Sequence, residues 1–175
     1  MRIRVTHCGL LSLALLFAII GCMFRGYTPQ APIDETLTSP MQRGLSSVAG
    51  EVRIETSTGE VRSGADSTIY LVPATAYSTE WFEHYIVKRE KIDGKDPRAF
   101  PSARAENVDG EGHFKFNNIP AGAYYLTCRV HYQPPGLRIG RLTFGLGLVE
   151  SVDTYAKVDI GPAQNVEALV TRPTS

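Results

Sequence analysis

Beyond residue 21 the chain carries three histidines, His84, His113 and His131, and general-base or metal chemistry would draw first on these. His113 and His131 fall on the polar faces of two alternating segments. Pairing of those strands would make them neighbours and supply two ligands of a three-ligand metal site. Solvated strand histidines account for the same pattern. No HExxH, GxSxG, phosphate-cradling glycine loop or CxxC pair accompanies them. Asp109 and Glu111 bracket Gly110 as in a calcium loop, but the twelve-residue frame of such a loop is missing. Capping of a turn is enough to explain Asp109. The expectation is a protein that is not an enzyme, with no catalytic residue, metal or cofactor. A small metal-dependent enzyme using His113 and His131 is the alternative, which metal analysis would decide.

Recognition is the other chemistry on offer. Ser78 or Thr79 can cap a short helix through Glu80 to Ile86, which would place Trp81, Phe82 and Tyr85 on one side. Such rings can seal one end of a β domain or stack on a ligand. Lys88 and Arg89 follow, then a charged, irregular stretch to Pro101 with turns marked by Asp93-Gly94 and Asp96-Pro97. A loop this long is usually functional or disordered. Trp81, Phe82, Tyr85, Lys88 and Arg89 are therefore the expected partner-facing surface. A protein partner is the first reading; a carbohydrate-binding module stacking sugars on the aromatic surface is the alternative.

The elements that must position these residues are read from alternation. Val48, Gly50, Val52 and Ile54 alternate with Ala49, Glu51, Arg53 and Glu55, and Thr68 to Val72 makes a second strand closed by Pro73. Ser102 to Val108 leads into the turn Asp109-Gly110-Glu111-Gly112, whose glycines can supply positive φ. Phe114 and Phe116 then share a face opposite His113, Lys115 and Asn117. After Asn118 to Gly122 turns the chain, Leu126, Cys128, Val130 and Tyr132 face one way and Tyr125, Thr127, Arg129 and His131 the other. Gln133-Pro134-Pro135-Gly136 forces a break, and Leu137 to Val149 resumes extended structure, with Gly145 and Gly147 suggesting a bulge or close backbone approach. Tyr155 to Ile160 and Val166 to Val170 are the last strands. Phe114, Phe116, Leu126 and Val130 are the expected core.

The run DGEGHFKFNNIPAGAYYL resembles the DG-x-F-x-F-x-x-(I/L)-P-x-G-x-Y-x-L signature of carboxypeptidase regulatory-like domains. The likeness extends from about Val48 to Val170. It implies an all-β, seven- to eight-stranded antiparallel, transthyretin/prealbumin-like β-sandwich with one short helix, over residues 46–172. Such modules serve as accessory, binding and spacer domains, so the resemblance implies a fold rather than a function. The related hydroxyisourate hydrolases end in Tyr-Arg-Gly-Ser, which Thr171 to Ser175 does not match.

The first 21 residues have the build of a secretory signal: Arg2 and Arg4, then an apolar run of 13 residues from Cys8 to Ile20, too short to span a bilayer. Ile19-Ile20-Gly21-Cys22 resembles a bacterial lipobox, which implies a diacylglycerol on Cys22. Residues 22–45, interrupted by Pro29, Pro32 and Pro40, read as a flexible tether that would reach roughly 25 Å. Removal of residues 1–21 takes away two of 18 basic residues and none of the 18 acidic ones, leaving 16 against 18, a net charge of −2. With no basic cluster, nucleic acid is not an expected partner. By the sorting pattern of enterobacterial lipoproteins, Met23 after the acylated cysteine implies the outer membrane, facing the periplasm. Cys128, on an apolar strand face, reads as a buried inert thiol.

Overall fold

A computed structural model describes residues 26–56, 59–93, 100–134, 137–139, 142–144 and 149–172. Residues 1–21, expected as a signal, together with Cys22, residues 94–99 of the long loop, and Gly145 and Gly147 lie outside the described residues.

Eight strands build two four-stranded sheets packed face to face, an all-β sandwich. The first sheet holds β1 (Ser46–Glu55), β2 (Val61–Ser63), β5 (His113–Ile119) and β10 (Asn165–Val170). The second has the order β4-β3-β6-β9, with β3 at Thr68–Pro73, β4 at Arg104–Asn107, β6 at Gly122–Tyr132 and β9 at Glu150–Ile160. Between β6 and β9 a separate short pair, β7 (Leu137–Ile139) and β8 (Leu142–Phe144), stands in place of one long strand.

The sheets are not purely antiparallel. β1 and β10 run parallel, with Val48 opposite Val166 and Val52 opposite Val170. Parallel neighbours need a crossover connection, and here the whole intervening chain supplies it, so that the first and last strands close one sheet. Gly50 lies in this pairing. A Cβ there would sit 1.8 Å from the Ala168 carbonyl oxygen, so the two backbones approach where no side chain fits.

Alternation decides the core. Val48, Val52 and Ile54 of β1, Phe114 and Phe116 of β5, and Leu126, Cys128 and Val130 of β6 are all buried between the sheets. Burial pushes the Cys128 thiol up to about 11, which suppresses the thiolate and its reactivity. Thr154 fits the same core by donating its hydroxyl to the Cys128 carbonyl at 2.9 Å.

The turn before β5 uses its glycines unequally. Gly112 has φ +97°, and its N–H reaches the Asp109 carbonyl, whereas Gly110 needs no such freedom. Asp109 Oδ1 accepts from the N–H groups of His113 and Glu111, at 2.8 and 3.0 Å. Those amides, His113 first, hold its carboxyl below the ordinary range.

His113 and His131 do not become neighbours. β5 pairs with β1 in the first sheet, while β6 pairs with β3 and β9 in the second. Their strands never meet because the chain crosses between sheets at Pro120. Among the described residues no three His, Cys, Asp or Glu side chains converge as metal ligands.

Candidate functional site

The segment after β3 folds as helix α2 (Ala76–Phe82) continued by a π-turn, Glu83–Val87. It begins earlier than the capping residues Ser78 and Thr79 suggest. Thr75 is the N-cap: its Oγ1 accepts from the Ser78 N–H at 3.2 Å, and Ser78 Oγ accepts from the Thr75 N–H at 2.8 Å. Ser78 is thus the third helical residue of a capping box, and it also donates to the Pro73 carbonyl. A shorter helical turn, α1, spans Glu35–Thr38, capped by Asp34.

Helix α2 lies on the outer face of the second sheet. Phe82, 5% exposed, is stacked on Tyr125 at 4.3 Å and meets the edge of Tyr155 at 4.8 Å. Ile86 completes this smaller cluster. Phe82 therefore anchors the helix to the sheet, and it also lines the cleft beside Trp81. Trp81 and Tyr85 are one turn apart on the next face, their rings 4.7 Å from each other. Arg129 of β6 donates to the Tyr85 hydroxyl at 2.6 Å and pairs with Asp153 at 2.7 Å, fixing Tyr85 in place.

Trp81 forms one wall of a cleft of about 400 Å³ between helix and sheet. Tyr70 and Val72 of β3 and Tyr125 of β6 line its floor, and Phe100 packs edge-on against Trp81, the two rings 5.3 Å apart. Tyr70 is 45% exposed, an aromatic surface open to solvent. The indole Nε1 of Trp81 is shielded from solvent and has no acceptor among the described residues. A buried donor left unpaired costs about 1–3 kcal/mol, and buried indoles normally find a partner. The cleft can thus offer aromatic faces and the hydroxyl groups of Tyr70 and Thr127.

Lys88 and Arg89 leave the helix in other directions. Lys88 pairs with Glu83 at 2.9 Å in solvent. Arg89 borders a separate depression with Tyr85. Of the five residues expected to form one surface, Trp81 and Phe82 line the cleft, Tyr85 and Arg89 border the second depression, and Lys88 stands in solvent.

Part of the stretch expected as tether is docked. Tyr27 bridges to Ile92, and its ring stacks on His84 with centroids 3.4 Å apart and planes 4° from parallel. The Glu80 carboxylate accepts from the Tyr27 hydroxyl and from the N–H groups of Gln30 and Ala31. The Tyr27 bond, then the Gln30 amide, hold Glu80 below the ordinary carboxyl range, and Glu80 pushes the Tyr27 phenol up to about 12. One carboxylate on the outer face of α2 thus fastens residues 27–31 to the domain.

A broad shallow trough of about 850 Å³ covers the outer face of the first sheet, edged by Glu51, His113, Lys115 and Glu167. It gathers charges of both signs, and Phe114, whose side chain is buried, is the one Phe, Tyr or Trp among its lining residues.

No family model matches the chain, and a search of curated proteins finds no relative. Among solved structures, the fold is similar to that of a candidate carbohydrate binding protein from Pseudomonas aeruginosa. The TM-score is 0.62 at 22% sequence identity, over 81% of this chain and 99% of the other. At that identity the likeness establishes the sandwich alone.

Sequence reasoning missed Tyr70, Phe100 and Glu80. Tyr70 could have been noticed as a large aromatic on the outward phase of β3. Phe100 has no periodic signal, since it lies in an irregular loop with φ +74°. Glu80 carries no sequence signal of its role, which depends on the segment Tyr27 to Ala31 lying across it.

Proposed function

We propose that this protein is a non-catalytic carbohydrate-binding module, held in a bacterial envelope by a lipid on Cys22. The observation that carries the reading is the cleft lined by the rings of Tyr70, Trp81, Phe82, Phe100 and Tyr125. Sugar rings carry C–H groups on their faces and hydroxyls at their edges. A cleft of aromatic faces with a few polar atoms matches both. The carbohydrate-binding description of the structurally similar Pseudomonas protein supports the same class. The anchor rests on the signal segment and the lipobox-like tetrapeptide. A diacylglyceryl adduct on Cys22, sought by mass spectrometry of protein taken from its own membranes, is the check on that half.

The cleft is tested on a glycan array followed by calorimetry with the best oligosaccharide. Tyr70→Ala and Trp81→Ala should each lose about 1–2 kcal/mol of binding, or about five- to thirty-fold in Kd. Tyr70→Ala should leave the melting midpoint nearly unchanged, because its ring is half in solvent. An array on which nothing binds, or full affinity in both variants, defeats the reading.

A further inference from the structure

Past the C-terminal end of the helix lies a second depression of about 370 Å³. Tyr85 and Arg89 form its helical wall, Ser151 and Asp153 of β9 its floor, and Arg172 its far side. The charges around it are unequal: Arg89, Lys91 and Arg172 against Glu90 and Asp153. Both carboxylates are committed, Glu90 to His84 at 2.6 Å and Asp153 to Arg129 at 2.7 Å. Lys91 is committed too, to Asp93 at 3.1 Å. Two guanidinium groups, Arg89 and Arg172, are left without an acidic partner among the described residues.

Arg89 stands where a helix end favours glycine. The helix closes with the Lys88 N–H on the Glu83 carbonyl and the Glu90 N–H on the His84 carbonyl, both at 2.9 Å. That closure puts the residue between them in the left-handed region, and Arg89 has φ +56°. Glycine takes this conformation freely, whereas a side chain resists it. The chain therefore accepts local strain at a position that sends a guanidinium to the rim of the depression, as is common at functional sites.

Resting on the carbohydrate reading above, we infer that this depression is an anion subsite next to the aromatic cleft, and that the ligand class is an acidic oligosaccharide. Arg89 and Arg172 take the carboxylate of a uronate unit, and a neighbouring sugar ring stacks in the cleft. The planar guanidinium fork matches a carboxylate, which an ammonium would hold only as a point charge. The two places adjoin through one contact, since Trp81 walls the cleft, Tyr85 walls the depression, and their rings are 4.7 Å apart.

The test is calorimetry on the mature chain with a neutral and a uronate-containing oligosaccharide of equal length, and with glucuronate alone. The parent should favour the acidic oligosaccharide by roughly tenfold or more, an advantage that shrinks at high salt. Arg89→Gly should abolish most of that preference while holding or raising the melting midpoint, because glycine relieves the left-handed strain. Arg172→Gln should lower the preference as well. Equal affinity of the parent for both oligosaccharides, or a preference that survives Arg89→Gly, overturns the subsite. A midpoint lowered by Arg89→Gly would overturn the argument that Arg89 is kept for binding. If glucuronate alone binds in an Arg89-dependent way and neither oligosaccharide gains from Tyr70 or Trp81, the anion subsite stands and the carbohydrate cleft falls.

Discussion

Phe116→Ala lowers the unfolding midpoint by roughly 10–20 °C, the expected consequence of losing about 3–5 kcal/mol from the centre of the sandwich. Phe116 is fully buried and heads the fully buried side chains by volume. It faces the second sheet from β5, opposite Val48 of β1 in register, with the Phe114 ring 6.1 Å away. Both neighbours belong to backbone ladders that cannot relax into the vacated space, so the cavity persists and its cost adds to the lost transfer energy. Against a total stability of about 5–15 kcal/mol, that is roughly a fifth of the whole or more. Lys115→Ala, one residue away on the outer face, is the matched control and should change stability by less than about 0.5 kcal/mol. Thermal melts of the two variants read the period of the strand directly. Equal shifts would mean that β5 is not one-sided and that the packing described here is wrong.

The strands were legible because a half-buried strand writes its burial into alternate residues. Phe114, Phe116, Leu126 and Val130 all lie inward as that rule requires. What alternation cannot carry is which strand pairs with which. His113 and His131 sit on outward phases of neighbouring segments, yet the chain passes from one sheet to the other between them. The parallel β1–β10 pair is invisible for the same reason, since the partners are joined only through the rest of the chain. Inside the 74–101 crossing, helical spacing grouped Trp81, Phe82 and Tyr85, but spacing alone does not say which face meets the sheet. Tyr125 decides it, as a ring on the outer phase of β6 that only Phe82 reaches in a stacked geometry. Residues 26–31 looked like linker because their proline-interrupted sequence has no period. They are held by the Tyr27 side chain on His84 and Glu80 and by backbone amides on Glu80, and the amide contacts leave no pattern in side-chain type.

Phe82→Ala should have the other large effect, and of a different kind. Its ring is the main apolar pin between α2 and the second sheet, stacked on Tyr125 and edge-on to Tyr155. Truncation of a buried phenylalanine costs about 3–5 kcal/mol where the structure cannot yield. Here it can yield, because a seven-residue helix with a single π-turn is too short to persist unsupported. Undocking of the helix therefore limits the global loss of stability, and the damage stays local. Hydrogen exchange should show the amides of residues 79–88 losing protection, together with the Gln30 and Ala31 amides that Glu80 holds. The amides of β1, β5 and β6 should keep theirs, whereas Phe116→Ala should lower protection across both sheets. Oligosaccharide binding should disappear with the helix, since Trp81 cannot wall the cleft once Phe82 no longer fixes its neighbour to the sheet. Uniform loss of protection would make α2 an integral part of the one cooperative core. Retained oligosaccharide binding with an undocked helix would move recognition to the outer face of the first sheet, where Glu51, His113, Lys115 and Glu167 edge the shallow trough.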